Sequence, residues 1–401
     1  AGAILVLIQL QGGNDGLNMV IPVDDAGPVA QRTLYEAARP NLGVPVANLL
    51  ATEIDADPMT GTRLALHPAM TELKGLYDAG LVAVVNGVGY PGQSLSHFRS
   101  EDIWFSADPT VPFASGWFGR YLDGAYSASD LVAVDVNETL NPIFVCQDCN
   151  VLAVRRLSDF RLPDDPLYPD LTAKKAALDA MFAVEANPLQ TAGLQRTIGT
   201  SGDTLLSKID DYAAINTSWA AHLDGVSSEL AKRLKQIASV IRYDTLNPSL
   251  SVGARFFHVR LGGFDTHTQQ GTLTGSQPTL LQRLSQAVKA FHDDLGDIGA
   301  ADKTLMVTFS EFGRRVVENG STGVTGTDHG AAAPLFVIGN PVAGGVYGML
   351  PALNDLSSGN LKFNVDFRRV YATVIDDWLA TPGAHTALLP GAPYTTLPFI
   401  A

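Results

Sequence analysis

The sequence predicts an α/β fold: a mainly parallel central sheet with helices on both faces. Three observations predict it: short continuous apolar runs, stretches of helical period between them, and carboxylate and imidazole groups in the loops where the runs end. A strand with one wet face alternates apolar and polar residues, whereas a parallel strand covered on both faces reads as an unbroken apolar run. Strands that alternate with helices imply parallel pairing, and in such sheets the functional loops lie beyond the carboxyl ends of the strands.

The first run, residues 4–10, is such a strand and ends in Gly12-Gly13-Asn14-Asp15-Gly16, a loop able to turn sharply. A helical stretch follows at 70–79, then a second strand at 81–86, then Gly-Tyr-Pro-Gly and a helix start near Ser94 or Ser96, either of which can serve as N-cap. Over 108–219 periodicity weakens and Pro-rich loops dominate, so this segment reads as a peripheral insertion or subdomain within one domain spanning 1–401. Regularity returns with Leu230, Leu234, Ile237 and Ile241, an apolar stripe that marks 227–243 as an amphipathic helix. A strand at 255–261 leads into Gly262-Gly263-Phe264-Asp265, Leu281 to Leu295 mark another helix, and strands follow at 304–310 and 335–338.

With 46% hydrophobic and 17% charged residues in 401, the composition is that of a folded protein, and no stretch approaches the roughly 20 apolar residues of a membrane span. The 41 acidic against 27 basic residues, a net charge of −14, argue against a nucleic-acid partner, since phosphate backbones are met by clustered Lys and Arg. Two cysteines, Cys146 and Cys149, have no second pair to complete a four-cysteine zinc site; a short-loop disulfide or a redox dithiol are the alternatives. The chain opens without Met or a charged leader region, as expected of an exported chain after signal cleavage or of a trimmed one.

The polar residues carry the functional signal. Asp15 follows the first strand, Ser94, Ser96 and His97 the second, Asp265 and His267 the strand before the long helix, and Glu311 the next; Asp328 and His329 precede the last strand. Five loops therefore bring carboxylate or imidazole to one sheet edge. Each has a plainer reading, as a turn residue, helix cap or loop tip, and it is their convergence that predicts a metal site on Asp15, Asp265, His267, Glu311 and His329. Mixed carboxylate and imidazole donors suit zinc, manganese or iron, while an all-oxygen site would suit calcium or magnesium. Ser96 or Ser94, at a helix start beside a cation, is the candidate nucleophile, with His97 adjoining; Arg99 or Arg314 is expected to clamp an anion. No Gly-x-Ser-x-Gly elbow is present to support a serine triad.

Gly-Gly-Asn-Asp-Gly-Leu-Asn, Ser-His-Phe-Arg-Ser-Glu-Asp-Ile-Trp, Gly-Gly-Phe-Asp-Thr-His, Ser-Glu-Phe-Gly-Arg and Gly-Thr-Asp-His-Gly occur in that order over residues 5–348. This ordered set resembles the bacterial exported proteins grouped as domain of unknown function 1501, placed with the alkaline phosphatase-like superfamily beside sulfatases and cofactor-independent phosphoglycerate mutases. The resemblance implies an alkaline phosphatase-like fold, a periplasmic or extracellular location, often reached by twin-arginine export, and one or two divalent metals. It implies Asp265, His267 and His329 for one metal, Asp15 and Glu311 for the other, and Ser94 or Ser96 as nucleophile. Where the superfamily pattern has a His after that carboxylate, this chain has Phe312, so the second metal is short of a ligand unless His97 replaces it.

The functional expectation is an exported metal-dependent hydrolase of phosphate or sulfate esters, small-molecule or carbohydrate, using zinc, manganese, calcium or magnesium. Two alternatives share the fold: a copper- or iron-dependent oxidoreductase, and a non-catalytic binding protein with a degenerate site.

Overall fold

The computed structural model describes residues 2–401 except 128, 163, 165, 168, 186–193 and 322–323. At its centre lies strand β1 (Ile4–Gln11), apolar over nearly its whole length and buried on both faces. Successive side chains of a strand point to opposite faces, and β1 shows the consequence. Ile4, Val6, Ile8 and Leu10 enter one core while Leu5 and Leu7 enter another on the far side. Each such fully buried aliphatic side chain contributes about 1.5–3 kcal/mol over an exposed one, so both faces must be covered.

The remaining sheet strands, in chain order, are β2 (Val82–Gly89), β3 (Ala133–Asp135), β4 (Val151–Ala153), β5 (Phe256–Gly262), β6 (Thr304–Phe309), β7 (Ala333–Ile338), β8 (Gly345–Tyr347) and β9 (Val365–Asp366). They lie in the order β8-β2-β7-β6-β1-β5-β3-β4, with β9 also pairing β2. All pairings are parallel except those of β7, which runs antiparallel to both β2 and β6. The mainly parallel sheet read from the sequence is thus present.

Helices α1 (Thr71–Asp78), α6 (Glu229–Leu246) and α7 (Ser276–Ile298) cover the Val6 face; α2 (His97–Ser106), α3 (Trp117–Ala125) and α8 (Phe367–Thr373) cover the Leu5 face. Between α3 and α6 the chain adds β3 and β4 to the sheet edge, and two helices, α4 (Leu171–Glu185) and α5 (Leu194–Ala213), pack against each other. The two strands are only three residues each, too short to leave a periodic trace in the sequence. Cys146 and Cys149, in the loop before β4, are joined as a disulfide.

Parallel strands place their carboxyl ends on one edge of the sheet. Because β7 alone runs backwards, the loop preceding it arrives at that same edge, which brings 328–329 to the loops following β1, β5 and β6. Pairing of Gly313 and Arg315 with Ala331 and Asp328 fixes it there: Gly313 N–H donates to Ala331 at 2.7 Å, and Arg315 N–H to Asp328 at 2.9 Å.

Candidate metal centre

Gly12 and Gly13 make the first turn of the site. Gly12 has φ +119°, and a Cβ on it would lie 2.3 Å from the Asp265 amide nitrogen, so only glycine lets the loops after β1 and β5 touch. Gly13 has φ +79°, and a Cβ there would meet the Phe312 ring at 2.3 Å.

Asp265 emerges from this contact half-exposed, with three imidazoles around it. Its Oδ1 lies 3.1 Å from His267 Nε2 and 3.1 Å from His329 Nε2, and those two nitrogens are 3.0 Å apart. His97 Nε2 lies 3.5 Å from the other oxygen, Oδ2. Zinc ligands at about 2.0–2.1 Å in tetrahedral arrangement sit roughly 3.3 Å from one another, so a face of this triangle has the size that a borderline divalent ion requires.

The other nitrogen of each ring settles its orientation. Nδ1 of His97 is bonded to Glu311 Oε1 at 2.8 Å, Nδ1 of His267 to Asp328 Oδ1 at 3.1 Å, and Nδ1 of His329 to the Leu95 carbonyl at 2.8 Å. An imidazole that donates its Nδ1–H to an oxygen keeps a lone pair on Nε2, and this is how metal-ligating histidines are held. All three Nε2 atoms turn toward Asp265. Phe312, buried, packs its ring against His97 (centroids 4.8 Å) and His329 (4.6 Å), closing the apolar side of the cluster.

Burial would raise the Asp265 carboxyl, but hydrogen bonds from Arg314 and His329, with the charges of Arg314 and His267, outweigh it and hold its pKa down to about 2. The bond to Glu311 lifts the His97 imidazole above its ordinary value, against the opposing effect of burial.

Several residues expected at this edge serve other ends. Asp15 is fully buried, with Arg39 Nη1 on Oδ2 at 2.6 Å and Nη2 on Oδ1 at 2.9 Å, and Gln270 also donating to Oδ2. Both carboxylate oxygens are engaged by a buried bidentate cation, so Asp15 ties the loop after β1 to Arg39 and stands outside the cluster of imidazoles around Asp265. Glu311 is likewise fully buried: Oε1 receives the Gly12 amide at 2.8 Å as well as His97. Its place is behind the His97 ring, which it orients.

Arg314 does not clamp an anion. It is buried beneath Asp265, donating to that carboxylate at 2.6 Å and to the carbonyls of Gly13, Thr327, Phe264 and Gly12. A guanidinium with five donors in a fixed fork is suited to tying several turning loops together. Arg99 Nη2 donates to the Pro109 carbonyl at 3.0 Å, drawn toward the carboxyl end of α2. Ser94 Oγ accepts the Ser96 amide at 3.2 Å, and neither serine hydroxyl caps α2. Ser96 is exposed at the position directly before His97, while Leu95 between the serines supplies the carbonyl to His329.

The cluster thus unites Asp265, His267, His329 and His97, with Glu311 and Asp328 behind them. Arg39, Gln270 and the Leu95 carbonyl had no sequence signal: Arg39 stands in an ordinary Ala-Arg-Pro segment, and a backbone carbonyl is common to every residue. Asp328 did have one, its adjacency to His329.

The model of a family described as a protein of unknown function, DUF1501, matches residues 249–382, the stretch that carries Asp265, His267, Glu311 and His329. Comparison with curated proteins gives no match. Among solved structures, the chain is similar to a protein in the alkaline phosphatase superfamily from Vibrio parahaemolyticus, at 8% identity and TM-score 0.37, over 88% of this chain and 64% of that one. It therefore spans less than two thirds of that protein's length. It is similar to the PsFucS1 sulfatase from Pseudoalteromonas sp. at 10% identity and TM-score 0.38, over 97% of this chain and 72% of that one. For the alkaline phosphatase of the Antarctic bacterium TAB5 the values are 11% and 0.31, over 87% and 95%.

Proposed function

We propose that the chain is a metal-dependent hydrolase of phosphate or sulfate esters, built on one nitrogen-rich centre of His97, Asp265, His267 and His329. The observation that carries this reading is the common orientation of three imidazoles, each bound through Nδ1 to an oxygen and turned through Nε2 to one carboxylate. Without a cation, two Nε2 atoms 3.0 Å apart require a proton on one of them, carried by the other tautomer or by an imidazolium; an ion shared by the two lone pairs meets the same demand. Three imidazoles and one carboxylate suit zinc, iron or copper better than calcium or magnesium, which take oxygen ligands.

A divalent ion there supplies Lewis-acid polarisation of an ester oxygen. The chain's own residues do the rest. His97, Asp265 and His329, whose donor atoms lie within 4.8 Å of one another, would hold the ion at the open edge of the sheet with His267 beside them. Glu311 and Asp328 would keep imidazoles in register, and Phe312 would keep water from their apolar flank. Ser96, whose hydroxyl is not used as a helix cap, is the candidate nucleophile on the same edge. A disulfide at Cys146–Cys149 fits an oxidising compartment, hence a periplasmic or extracellular home. Among the described residues no helix is long and apolar enough to cross a membrane.

The test is turnover of an aryl phosphate and an aryl sulfate by the folded chain reconstituted with zinc, manganese or iron. Turnover that is lost in Asp265→Asn supports the reading; no turnover with any of these metals overturns it. A second reading, oxidation at copper or iron, rests on the same three-imidazole set. Electron paramagnetic resonance of the natively loaded chain tests this second reading: a closed-shell ion alone counts against oxidation, and a copper signal counts for it.

A further inference from the structure

Beside the metal centre the carboxyl edge of the sheet continues as a cleft over β1, β5 and β3. A cavity of about 350 Å³ opens there, lined by the amides of Gln9, Gln11, Asn137 and Asn141, the Glu101 carboxylate and the Phe98 ring. Phe98 is 85% exposed although it follows His97 directly, an apolar ring presented to solvent at the rim of the site. Glu101 is one helical turn after His97 on α2, and its Oε1 accepts from Gln9 and Gln11 at 2.9 Å each. Planar amides, a carboxylate and an open aromatic face are the groups that bind a ring carrying several hydroxyls.

Arg260, opposite Gln9 in the register of β1 and β5, forms the far wall and is shared with a second cavity of about 500 Å³ that also contains Lys232, Arg233 and Arg283. A third cavity continues past Arg233 to Arg155 and Arg156. Six cations thus line one continuous groove in a chain whose net charge is −14. Some are neutralised: Lys232 pairs with Glu229 at 2.6 Å, Arg155 with Glu138 at 3.1 Å and Arg156 with Asp159 at 3.2 Å. Arg233, Arg260 and Arg283 have no carboxylate ion pair among the described residues. Burial first, and then the like charges of Arg260 and Arg155, depress the Arg233 guanidinium, against the opposing charges of Glu229 and Glu138. Arg233 is further fixed by donating to the Asn137 side chain. Six cations face three carboxylates in this groove, Glu229, Glu138 and Asp159, and the excess of positive charge is a demand that a multiply charged anion would satisfy.

We infer that the groove from Phe98 to Arg283 binds a saccharide carrying anionic groups at more than one position, its ring on the amide-lined cavity and a second sulfate or phosphate on Arg260, Arg283 and Arg233. The inference deepens the ester-hydrolase reading by naming its substrate class, and rests on that reading only for what happens at the metal.

Binding, not turnover, tests it. Calorimetric titration of the full chain, metal-stripped and zinc-loaded, uses a trisulfated disaccharide, a hexose bisphosphate and an unsubstituted disaccharide. At least one anionic probe is expected to bind about tenfold tighter than the neutral one, and Arg260→Gln with Arg283→Gln to remove that tenfold while leaving the melting temperature unchanged. Whichever probe binds tighter identifies the anion. Arg63→Gln, at an arginine paired with Glu53 away from the groove, is the charge control and is expected to have no effect. Equal affinity for anionic and neutral probes, no loss in the double variant, or an equal loss in Arg63→Gln overturns the inference. Arginine-dependent binding without ester turnover would remove the hydrolase reading and leave the groove; turnover with unchanged binding in the double variant would do the reverse.

Discussion

His267 and His329 face each other through their Nε2 atoms at 3.0 Å, and Asp265 Oδ1 stands 3.1 Å from both. Neither ring reaches this position by accident of packing, because Asp328 and the Leu95 carbonyl hold their far nitrogens. The pair therefore predicts an ion. Asp265→Asn and His329→Ala should each abolish high-affinity metal uptake, measured by mass spectrometric metal analysis after dialysis. Wild-type chain with free zinc at a hundred times its dissociation constant should gain about 2.7 kcal/mol of unfolding free energy, and the two variants almost none.

Glu311→Gln separates orientation from ligation. If Glu311 only holds His97, the variant should keep one ion per chain and bind it about 10–100-fold more weakly in a chelator competition, the usual effect of losing a partner behind a ligand. Complete loss of the ion would make Glu311 a ligand after all.

Asp15 and Arg39 make a fully buried bidentate pair. Removing one partner strands the other charge, so Asp15→Ala should cost about 3–5 kcal/mol in denaturant unfolding. Metal affinity of the folded variant should change little, since Asp15 lies outside the cluster of His97, Asp265 and His329. A loss of metal without loss of stability would contradict this placement.

Gly13→Ala puts a methyl where the Phe312 ring lies, at a backbone φ of +79°. Backbone strain of about 1–3 kcal/mol is expected, together with displacement of Phe312 against His97 and His329. Weakened zinc binding in a variant that still folds is the readout.

Away from the site, Asp376 accepts from the Gly383 and His385 amides and from His385 Nδ1 at 2.7 Å. Burial opposes these bonds, yet the His385 and Gly383 amides and the His385 ring hold the carboxyl below its ordinary value of 3.8. A depressed acid contributes its stability above the unfolded-state pKa and loses it as the pH falls through the folded-state one. Asp376→Asn should therefore lower the urea midpoint at pH 7, and its effect should shrink as the pH falls through the folded-state pKa, where the wild-type group becomes protonated in both states.

The fold was legible because its central strands are apolar without interruption, and so was the half of the site that lies in short strand-end motifs. The placement of Asp265, His267 and His329 together could be read from Phe-Asp-Thr-His and Thr-Asp-His, where loop and candidate ligand coincide. Asp15 and Glu311 looked equivalent to them, since a carboxylate after a strand reads the same whether it faces an ion or a cation from elsewhere. What separated them was partners distant in sequence: Arg39 for Asp15, and His97 for Glu311. Arg314 misled for the same reason, because a guanidinium tying backbone carbonyls together cannot be told in sequence from one awaiting a substrate. His97 was visible beside Ser96, but its place as a fourth imidazole-or-carboxylate group at Asp265 follows from the direction in which α2 leaves β2. The backward run of β7, which delivers His329, left no trace in an apolar run of strand length.

Zinc K-edge X-ray absorption of the chain loaded with one equivalent of zinc tests the central claim most directly. The account predicts one tightly held ion whose first shell is nitrogen and oxygen at about 2.0–2.1 Å, with the outer-shell scattering of two or three imidazoles. An ion removed by dialysis, or a shell of oxygen alone without imidazole scattering, would contradict it.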